Sequence, residues 1–220
     1  WVETLEGIPG ALELCTDRPR PIVLGSSGDR VRAALDSEMY REISELARRV
    51  GATPFMVMHA ALAVLLARLS DTADVVVGTP VAGRGDEALD RLVGMFVNTA
   101  TLRTQVSAGD SFAELLGRVK DVDLHAFANT DVPFERLVDV LSPVRSTAHH
   151  PLFQVMLSYQ NGPRTAAELE GLTVEAREIE VPIAKFDLQL DVTERFTDSG
   201  DSAGLALTWT YASDLFDDVS

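Results

Sequence analysis

The chain has 220 residues, 46% of them hydrophobic and 24% charged, which suits one globular domain or at most two. Its 34 acidic residues outnumber 19 basic ones, and a net charge of −15 without any basic run argues against a nucleic-acid partner. The single cysteine, Cys15, excludes an internal disulfide and a cysteine-based zinc site. No signal peptide opens the chain, and the longest apolar stretch, 55–66, is too short to span a bilayer, so we expect a cytoplasmic protein with no membrane partner.

Residues 1–21 predict an irregular leading segment. A short helical piece near Trp1 to Leu5 precedes the stretch CTDRPRP, which its prolines make rigid and extended. A helix is predicted from about Ser37, because apolar residues recur at helical spacing up to the C-cap Gly51.

The next helix has well-defined start signals. Thr53 is a good N-cap, and Pro54 is allowed at the first helical position. The sequence is apolar nearly all round over 55–69, so we expect this helix to be buried between layers. The apolar run at 74–81 predicts a short buried strand that ends at Gly78.

The middle of the chain predicts one strand and two helices. Residues 95–106 are rich in β-branched side chains, which favours a strand. Ser111 and Glu114 have the spacing of a capping box and predict the start of a helix. A second, shorter helix is predicted over 131–141, with Asp131 as its N-cap.

The final third is rich in predicted strands. Apolar and alternating patterns predict them at 152–159, 172–181, 186–194 and 205–211, and a helix begins at 213–218 but stops within a turn or two, as if the chain were cut there. No repeat, low-complexity tract or linker divides the sequence. The pattern predicts a single α/β domain over 1–220, an α+β two-layer sandwich in which helices cover one side of a mixed, largely antiparallel sheet.

The four histidines are the obvious candidates for catalysis or metal binding. His149 and His150 are adjacent, so they point in different directions, and they lie in a turn before a strand. His59 falls inside an apolar helix and is interpreted as a hydrogen-bonded core residue, whereas His125 is interpreted as a surface residue. No zinc-protease, nucleophile-elbow or phosphate-loop motif is present. The residues alone therefore predict no metal site and no self-contained catalytic group.

Several stretches resemble the motifs of condensation domains from non-ribosomal peptide synthetases. MFVNTATLR at 95–103 resembles the family pattern FVNTxxxR, and ANTDVPFERLVDVL at 128–141 resembles QDxPFExLV. RSTAHHPLFQVMLSYQN at 145–161 is similar to RDxSRxPLFQVxxxxQN. Residues 12–21 and 74–84 match two further stretches, and all matches occur in the family's order across nearly the whole chain.

The sequence also departs from the family patterns. Cys15 stands where proline is usual, and Ser146 stands where aspartate is usual. The family's catalytic signature, HHxxxDG, belongs to the N-terminal lobe, which is absent from this sequence. His149 and His150 are not that signature, because Gln154 occupies the position of its aspartate. The resemblance therefore implies a C-terminal lobe without a catalytic residue of its own.

The resemblance implies a fold like that of chloramphenicol acetyltransferase, in which two lobes form a V. It implies acyl transfer: the amine of an acceptor aminoacyl thioester attacks the thioester carbonyl of a donor, forming a peptide bond. No cofactor is bound directly, because both substrates travel on phosphopantetheine arms of carrier domains and enter a tunnel between the lobes. The implied partners are the N-terminal lobe, the donor and acceptor carrier domains and an adjacent adenylation domain. Residues 1–21 would come from the region between the lobes.

The motifs also indicate site residues. Candidates for the tunnel wall are Gly78, Arg84, Asn98 and Thr99, and candidates for structural motif positions are Phe96, Arg103, Asp131, Pro133, Phe134, Glu135, Arg145 and Pro151. Asn98 has two open interpretations. Its amide either bonds the backbone of a neighbouring loop and holds it, or faces the tunnel and contacts a substrate.

The chain by itself is expected to be inactive. Three alternatives to a condensation lobe remain, and the first is a non-catalytic module that docks a carrier or adenylation domain. A lobe of a heterocyclisation domain is also compatible with the sequence. Epimerisation domains usually lack the segment that contains Pro133, Phe134 and Glu135, so that segment favours condensation.

Overall fold

The computed structural model describes residues 1–83, 89, 91–144, 146–161, 171–172, 174, 179, 181–197 and 199–219. Its helices and strands, in chain order, are α1 (Val2–Leu5), β1 (Gly28–Leu35), α2 (Ser37–Val50), α3 (Pro54–Leu69), β2 (Asp74–Val81), β3 (Asn98–Gln105), α4 (Phe112–Phe127), α5 (Phe134–Leu141), β4 (Val155–Gln160), β5 (Leu188–Phe196) and β6 (Ser202–Ala212).

The strands form one six-stranded sheet in the order β1-β6-β5-β4-β2-β3. Three neighbouring pairs are antiparallel, while β4 is parallel to both β2 and β5. The predicted mixed, largely antiparallel sheet is therefore confirmed. Because β2, β4 and β5 run in the same direction, their carboxyl ends lie at one edge of the sheet, which is where open α/β sheets place ligands.

One face of the sheet is packed against α2, α3 and α4. Val75 and Val77 of β2 are fully buried there with Leu62 and Leu66 of α3. The alternation of strand side chains sends every second residue of β2 toward this layer. As predicted, α3 is a buried helix, with eight buried residues along it.

The other face is covered at one end, so the expectation of helices on a single side is wrong. Val76 points away from α3 and packs with Leu5 of α1 and Leu137 of α5. Gly78 lies on this face too, and β2 continues through it to Val81 rather than ending there. A Cβ at Gly78 would stand 2.3 Å from the ring of Phe153, so the glycine gives room to that ring.

The predicted helix starts are confirmed where a local cap was present. Thr53 accepts a hydrogen bond from the backbone of Met56, and Ser111 and Glu114 form the predicted capping box. Gly51 ends α2 in the left-handed conformation with φ of 64°. The sequence did not predict β1, because Asp29, Arg30 and Arg32 interrupt its apolar residues and the strand is largely exposed.

Several predicted boundaries change. The strand at 95–106 begins only at Asn98, the strand at 152–159 begins at Val155, and residues 213–218 form turns rather than a helix. The strand predicted at 172–181 lies largely outside the described residues. Within the described chain no single helix is long and apolar enough to cross a membrane, and α2 with α3 passes that length and composition test only as a pair bent by 99°.

Candidate functional site

A pocket of 260 Å³ opens at the carboxyl ends of the three parallel strands. Its walls are the first turn of α3, the ends of β2, β4 and β5 and the last residue of α4. Larger clefts exist elsewhere, including one of 640 Å³ between the carboxyl end of α3 and the amino end of α4. We favour the smaller pocket because it lies at the parallel-strand edge and next to the motif residue Thr99, which pairs with Pro80 in its wall.

Aromatic rings and one carboxylate line the pocket. Phe55 contacts Phe127 at a centroid separation of 5.6 Å and meets Tyr159 edge-on at 6.3 Å. The Tyr159 hydroxyl donates a hydrogen bond of 2.8 Å to Oε1 of Glu194. The pocket therefore offers an apolar wall with one negatively charged group beside it, which suits a ligand that carries N–H donors.

Burial and charge hold the tyrosine in its neutral form. Burial raises the pKa of Tyr159 far above its ordinary value, and the hydrogen bond to Glu194 raises it further. The pKa of Tyr40, on α2, is raised by burial and by the same carboxylate. Both phenols thus remain donors at neutral pH, and the pocket contains no activated tyrosine nucleophile.

Sequence reasoning did not identify this pocket. Tyr159 lies within the motif at 145–161 but was not singled out, and Glu194 lies in a predicted strand of alternating pattern. The signal available was that both residues lie near the carboxyl ends of strands, but only the parallel pairing of β4 with β5 shows that these ends are neighbours.

Asn98 has a fully occupied side-chain amide. Its Nδ2 donates to the carbonyl oxygens of Thr130 and Val132, both at 2.8 Å. Its Oδ1 accepts from the backbone N–H groups of Thr99 at 2.8 Å and Phe134 at 3.0 Å. An amide has two donor hydrogens and two acceptor lone pairs, so all four are used. These contacts are those of the structural interpretation, in which Asn98 holds a neighbouring loop.

The same contacts explain why the predicted cap of α5 is wrong. Asp131 is exposed, and the N-cap position belongs to Pro133, whose side chain has no hydrogen-bonding group. The first free N–H of the helix, that of Phe134, is accepted instead by Asn98 from β3. The helix therefore begins where a different element supplies the cap, which the local sequence does not reveal.

Arg103 also has a bracing role. Its guanidinium pairs with both carboxylate oxygens of Asp74 and donates to the backbone carbonyls of Thr4 and Glu6 at 3.0 and 2.9 Å. The Asp74 carboxylate raises the pKa of Arg103 further above its ordinary value. Arg103 thus ties β3 to the start of β2 and to the carboxyl end of α1, whose carbonyls need donors.

The other site residues that the sequence predicted do not form one site. Gly78 lies against the aromatic cluster on the α5 side of the sheet, Phe96 and Pro151 are half-buried, and Pro133 and Glu135 are exposed. Arg84 and Arg145 lie outside the described residues. The structure brings Asn98, Thr99, Pro133 and Phe134 together, whereas Arg103 lies toward the far end of β3.

The histidines follow the structural interpretations. His150 stacks on Phe134 with centroids 5.2 Å apart and contacts Phe153 and Phe186, and burial lowers its pKa to about 4. His59 is buried and hydrogen-bonded, as predicted. Among the described residues, no group of three or more His, Cys, Asp or Glu side chains is arranged to hold a metal ion.

The structure is an α/β unit with a pocket at the carboxyl edge of a mixed sheet. The family model of the condensation domain matches residues 1–220, and the chain belongs to that family. The motif resemblance is thereby confirmed.

The curated relatives are much longer proteins. The chain is 47% identical over 217 residues to CymA of Salinispora arenicola, a nonribosomal peptide synthetase by name, with 99% of this chain and 3% of that protein covered. It is 45% identical over 216 residues to a dimodular nonribosomal peptide synthase of Bacillus subtilis, with 98% and 9% covered. The chain thus spans under a tenth of the length of these relatives.

Solved structures show the same fold. The X-domain from teicoplanin biosynthesis superimposes with a TM-score of 0.92 at 32% identity, covering 100% of this chain and 49% of that one. The condensation domain of the Monacolin K polyketide synthase MokA superimposes with a TM-score of 0.77 at 24% identity, covering 98% and 51%. At 24% identity, the likeness to MokA supports the fold alone. The predicted chloramphenicol acetyltransferase-like α/β fold is confirmed.

Proposed function

We propose that the chain is the C-terminal lobe of a peptide-bond-forming condensation domain and supplies one wall of the site where two carrier-bound thioesters meet. The observation that carries the proposal is the pocket beside Tyr159 and Glu194 at the carboxyl edge of the sheet. The coverage of about half of each similar solved domain supports the assignment to one lobe.

The arrangement suits the positioning part of thioester aminolysis. The acceptor nitrogen attacks the donor carbonyl and forms the carbon–nitrogen bond. The carbon–sulfur bond then breaks, and the proton lost by the amine ends on the departing sulfur, which leaves as a thiol. Glu194 attracts the N–H groups of the acceptor, while Phe55 and Phe127 exclude water from one side. Orientation of this kind removes a large part of the barrier. The group that manages the proton belongs to the HHxxxDG lobe in the family resemblance.

An exposed apolar segment supports a covering lobe. Val93, Met95 and Val97, just before β3, are exposed by 105%, 88% and 59%. Apolar side chains grouped in this way mark surfaces that another part of a protein covers. We assign the N-terminal lobe to this role, with carrier domains delivering phosphopantetheine-bound substrates and an adenylation domain adjoining. The parent protein would then contribute to secondary metabolite or antibiotic biosynthesis.

A second candidate function is docking without catalysis. One similar solved structure, at 32% identity and a TM-score of 0.90, is a complex of an X-domain with OxyB from teicoplanin biosynthesis. In that complex, a domain of this fold binds another protein. A docking module would bind its partner without turnover, so a product assay separates the two functions.

The test supplies donor and acceptor aminoacyl thioesters on carrier domains to the intact parent protein and, separately, to the 220-residue chain. We expect a dipeptidyl product only from the intact protein, because the chain alone would form one wall of the site and the family resemblance assigns the catalytic histidine to the other lobe. Product from the chain alone would contradict the lobe assignment. Binding without product in the intact protein would favour the docking function.

The pocket assignment has its own test in the intact protein. Glu194→Gln keeps an acceptor for Tyr159 but removes the charge, so we expect the acceptor KM to rise about tenfold, as loss of one hydrogen bond to a charged group implies. Glu135→Gln is the matched control on exposed α5 and should leave KM unchanged. Equal kinetics for both variants would contradict the placement of the acceptor in this pocket.

A further inference from the structure

A buried polar chain crosses the layer behind the pocket. His59 of α3 and Asp123 of α4 are both 0% exposed, and His59 Nδ1 lies 2.8 Å from Asp123 Oδ1. One hydrogen bond therefore joins the ring of His59 to the carboxyl group of Asp123. The opposite ring nitrogen, Nε2, lies 3.5 Å from the hydroxyl of Thr104 on β3, a long contact. One side chain from each of three elements therefore meets in the core.

The connectivity matches that of a hydroxyl, imidazole and carboxylate triad, but its location excludes that role. Thr104 is 1% exposed, so no substrate reaches its hydroxyl. The pair is also a costly way to fill a core, because burying two polar side chains removes both from water and a single hydrogen bond offsets only part of that loss. Asp123 Oδ2 has no hydrogen-bond partner among the described residues, which adds to that cost. Stability alone therefore does not explain the pair of His59 and Asp123.

The position of the pair relative to the pocket indicates that purpose. Phe55 precedes His59 by four residues on α3, and Phe127 follows Asp123 by four residues on α4. Residues four apart lie on the same face of a helix, one turn from each other. The Phe55 and Phe127 rings touch at 5.6 Å and both line the pocket, and the His59 ring lies 6.2 Å from that of Phe55. The pair thus joins the two helices one turn behind their pocket-lining rings.

We propose that His59 and Asp123 are positioning residues that set the separation and axial register of α3 and α4, and thereby the gap between Phe55 and Phe127. Apolar packing between helices is non-directional and tolerates small slides, whereas a hydrogen bond between two fixed atoms does not. The gap in turn determines which acceptor side chains fit beside Glu194. This inference rests on the proposed function in one respect, that the pocket receives the acceptor.

The test compares three variants in the intact parent protein. Each single change to Leu, at His59 or Asp123, leaves its partner unpaired and should lower the melting temperature. The double variant His59→Leu/Asp123→Leu removes both polar groups and should recover most of that loss. We nevertheless expect its KM for an acceptor aminoacyl-pantetheine thioester to be raised about tenfold or more, because small misplacements at a reaction site have large kinetic effects. A double variant with the wild-type melting temperature and wild-type KM would overturn the proposal.

Two further variants separate positioning from general stability. Asp123→Asn keeps a polar group of the same shape that can hydrogen-bond Nδ1, so it should restore KM relative to Asp123→Leu. Leu66→Val, in the same helix but away from the pocket, is the matched control: it should lower the melting temperature and leave KM unchanged. An Asp123→Asn variant with the KM of Asp123→Leu would count against a geometric role.

A crystal structure of the double variant gives a readout that does not depend on turnover. We expect the Phe55–Phe127 centroid separation to depart from 5.6 Å. An unchanged separation would overturn the positioning role. If the wild-type parent protein makes no peptide bond, the proposed function fails, while this structural comparison still decides the role of the pair.

Discussion

Two regions of the sheet differ in how their polar groups are used. Around Asn98 and Arg103 each side chain makes several hydrogen bonds to backbone or to a carboxylate. In the pocket, Glu194 is half-buried, receives a hydrogen bond from Tyr159 on one oxygen and also interacts with Tyr40 of α2. The motif FVNTxxxR thus marks a brace, whereas we assign capacity for a ligand to the pocket at the ends of β4 and β5. Polar groups whose hydrogen bonds are all made within the protein stabilise its structure, whereas a group with a free acceptor site can also bind a ligand.

The largest effect should come from the brace. Asn98→Ala removes four hydrogen bonds and leaves partly buried backbone groups unpaired, so we expect a loss of about 3 kcal/mol in the free energy of unfolding. Urea titration measures it. The control is Asn129→Ala on the exposed end of α4, where one bond to the carbonyl of His125 is lost. Equal losses in the two variants would show that Asn98 is not the centre of a brace.

The next effect concerns the glycine of β2. Gly78→Ala places a Cβ about where the ring of Phe153 lies, 2.3 Å away, so overpacking should cost about 2 kcal/mol. Phe153→Leu creates space, so the double variant should lose less than the sum of the two single changes. Additive losses would contradict the packing argument for Gly78.

A smaller, pH-dependent effect belongs to His150. Its pKa is lowered from 6.5 to about 4, because burial among aromatic rings disfavours the imidazolium. Between these values the unfolded chain binds a proton at this site and the folded chain does not, so folded stability falls as pH falls from 6.5 toward 4. Allowing for partial solvent access, we expect the loss to be about 1 kcal/mol.

The measurement compares unfolding free energies at pH 7 and pH 5. His150→Phe should lose less stability than the wild type on acidification, because the titrating ring is gone. His125→Gln, on the exposed side of α4, should keep the wild-type pH dependence. Identical pH dependence in all three proteins would rule out His150 as its source.

The smallest effect is expected at the exposed aspartate before α5. Asp131→Ala should change the free energy of unfolding by less than about 0.5 kcal/mol, because the side chain does not cap the helix. The same titration used for Asn98 measures it. A loss near 1 kcal/mol would instead indicate that Asp131 caps the helix, as the sequence predicts.

The sequence was sufficient where the determinants are local. Thr53 and Ser111 cap helices through their own neighbours three residues on, so α3 and α4 start where predicted. The sequence failed where the determinant lies elsewhere in the chain. Asp131 has a favourable local position, but Asn98 supplies the N–H acceptor from 36 residues away. Likewise, β1 is a strand because it pairs with β6 over its whole length, although its own sequence has no clear strand pattern.

The sequence by itself determined the family, the helix caps and the apolar periodicity, because these depend on residues within a few positions of one another. The tertiary structure decided which strand ends meet, and hence that Tyr159, Glu194 and Phe55 share one pocket. It also decided that Gly78 accommodates a ring instead of ending a strand. The physical reason is that pairing and packing join residues far apart in the chain, and the energy of a polar group depends on partners that only the fold brings to it.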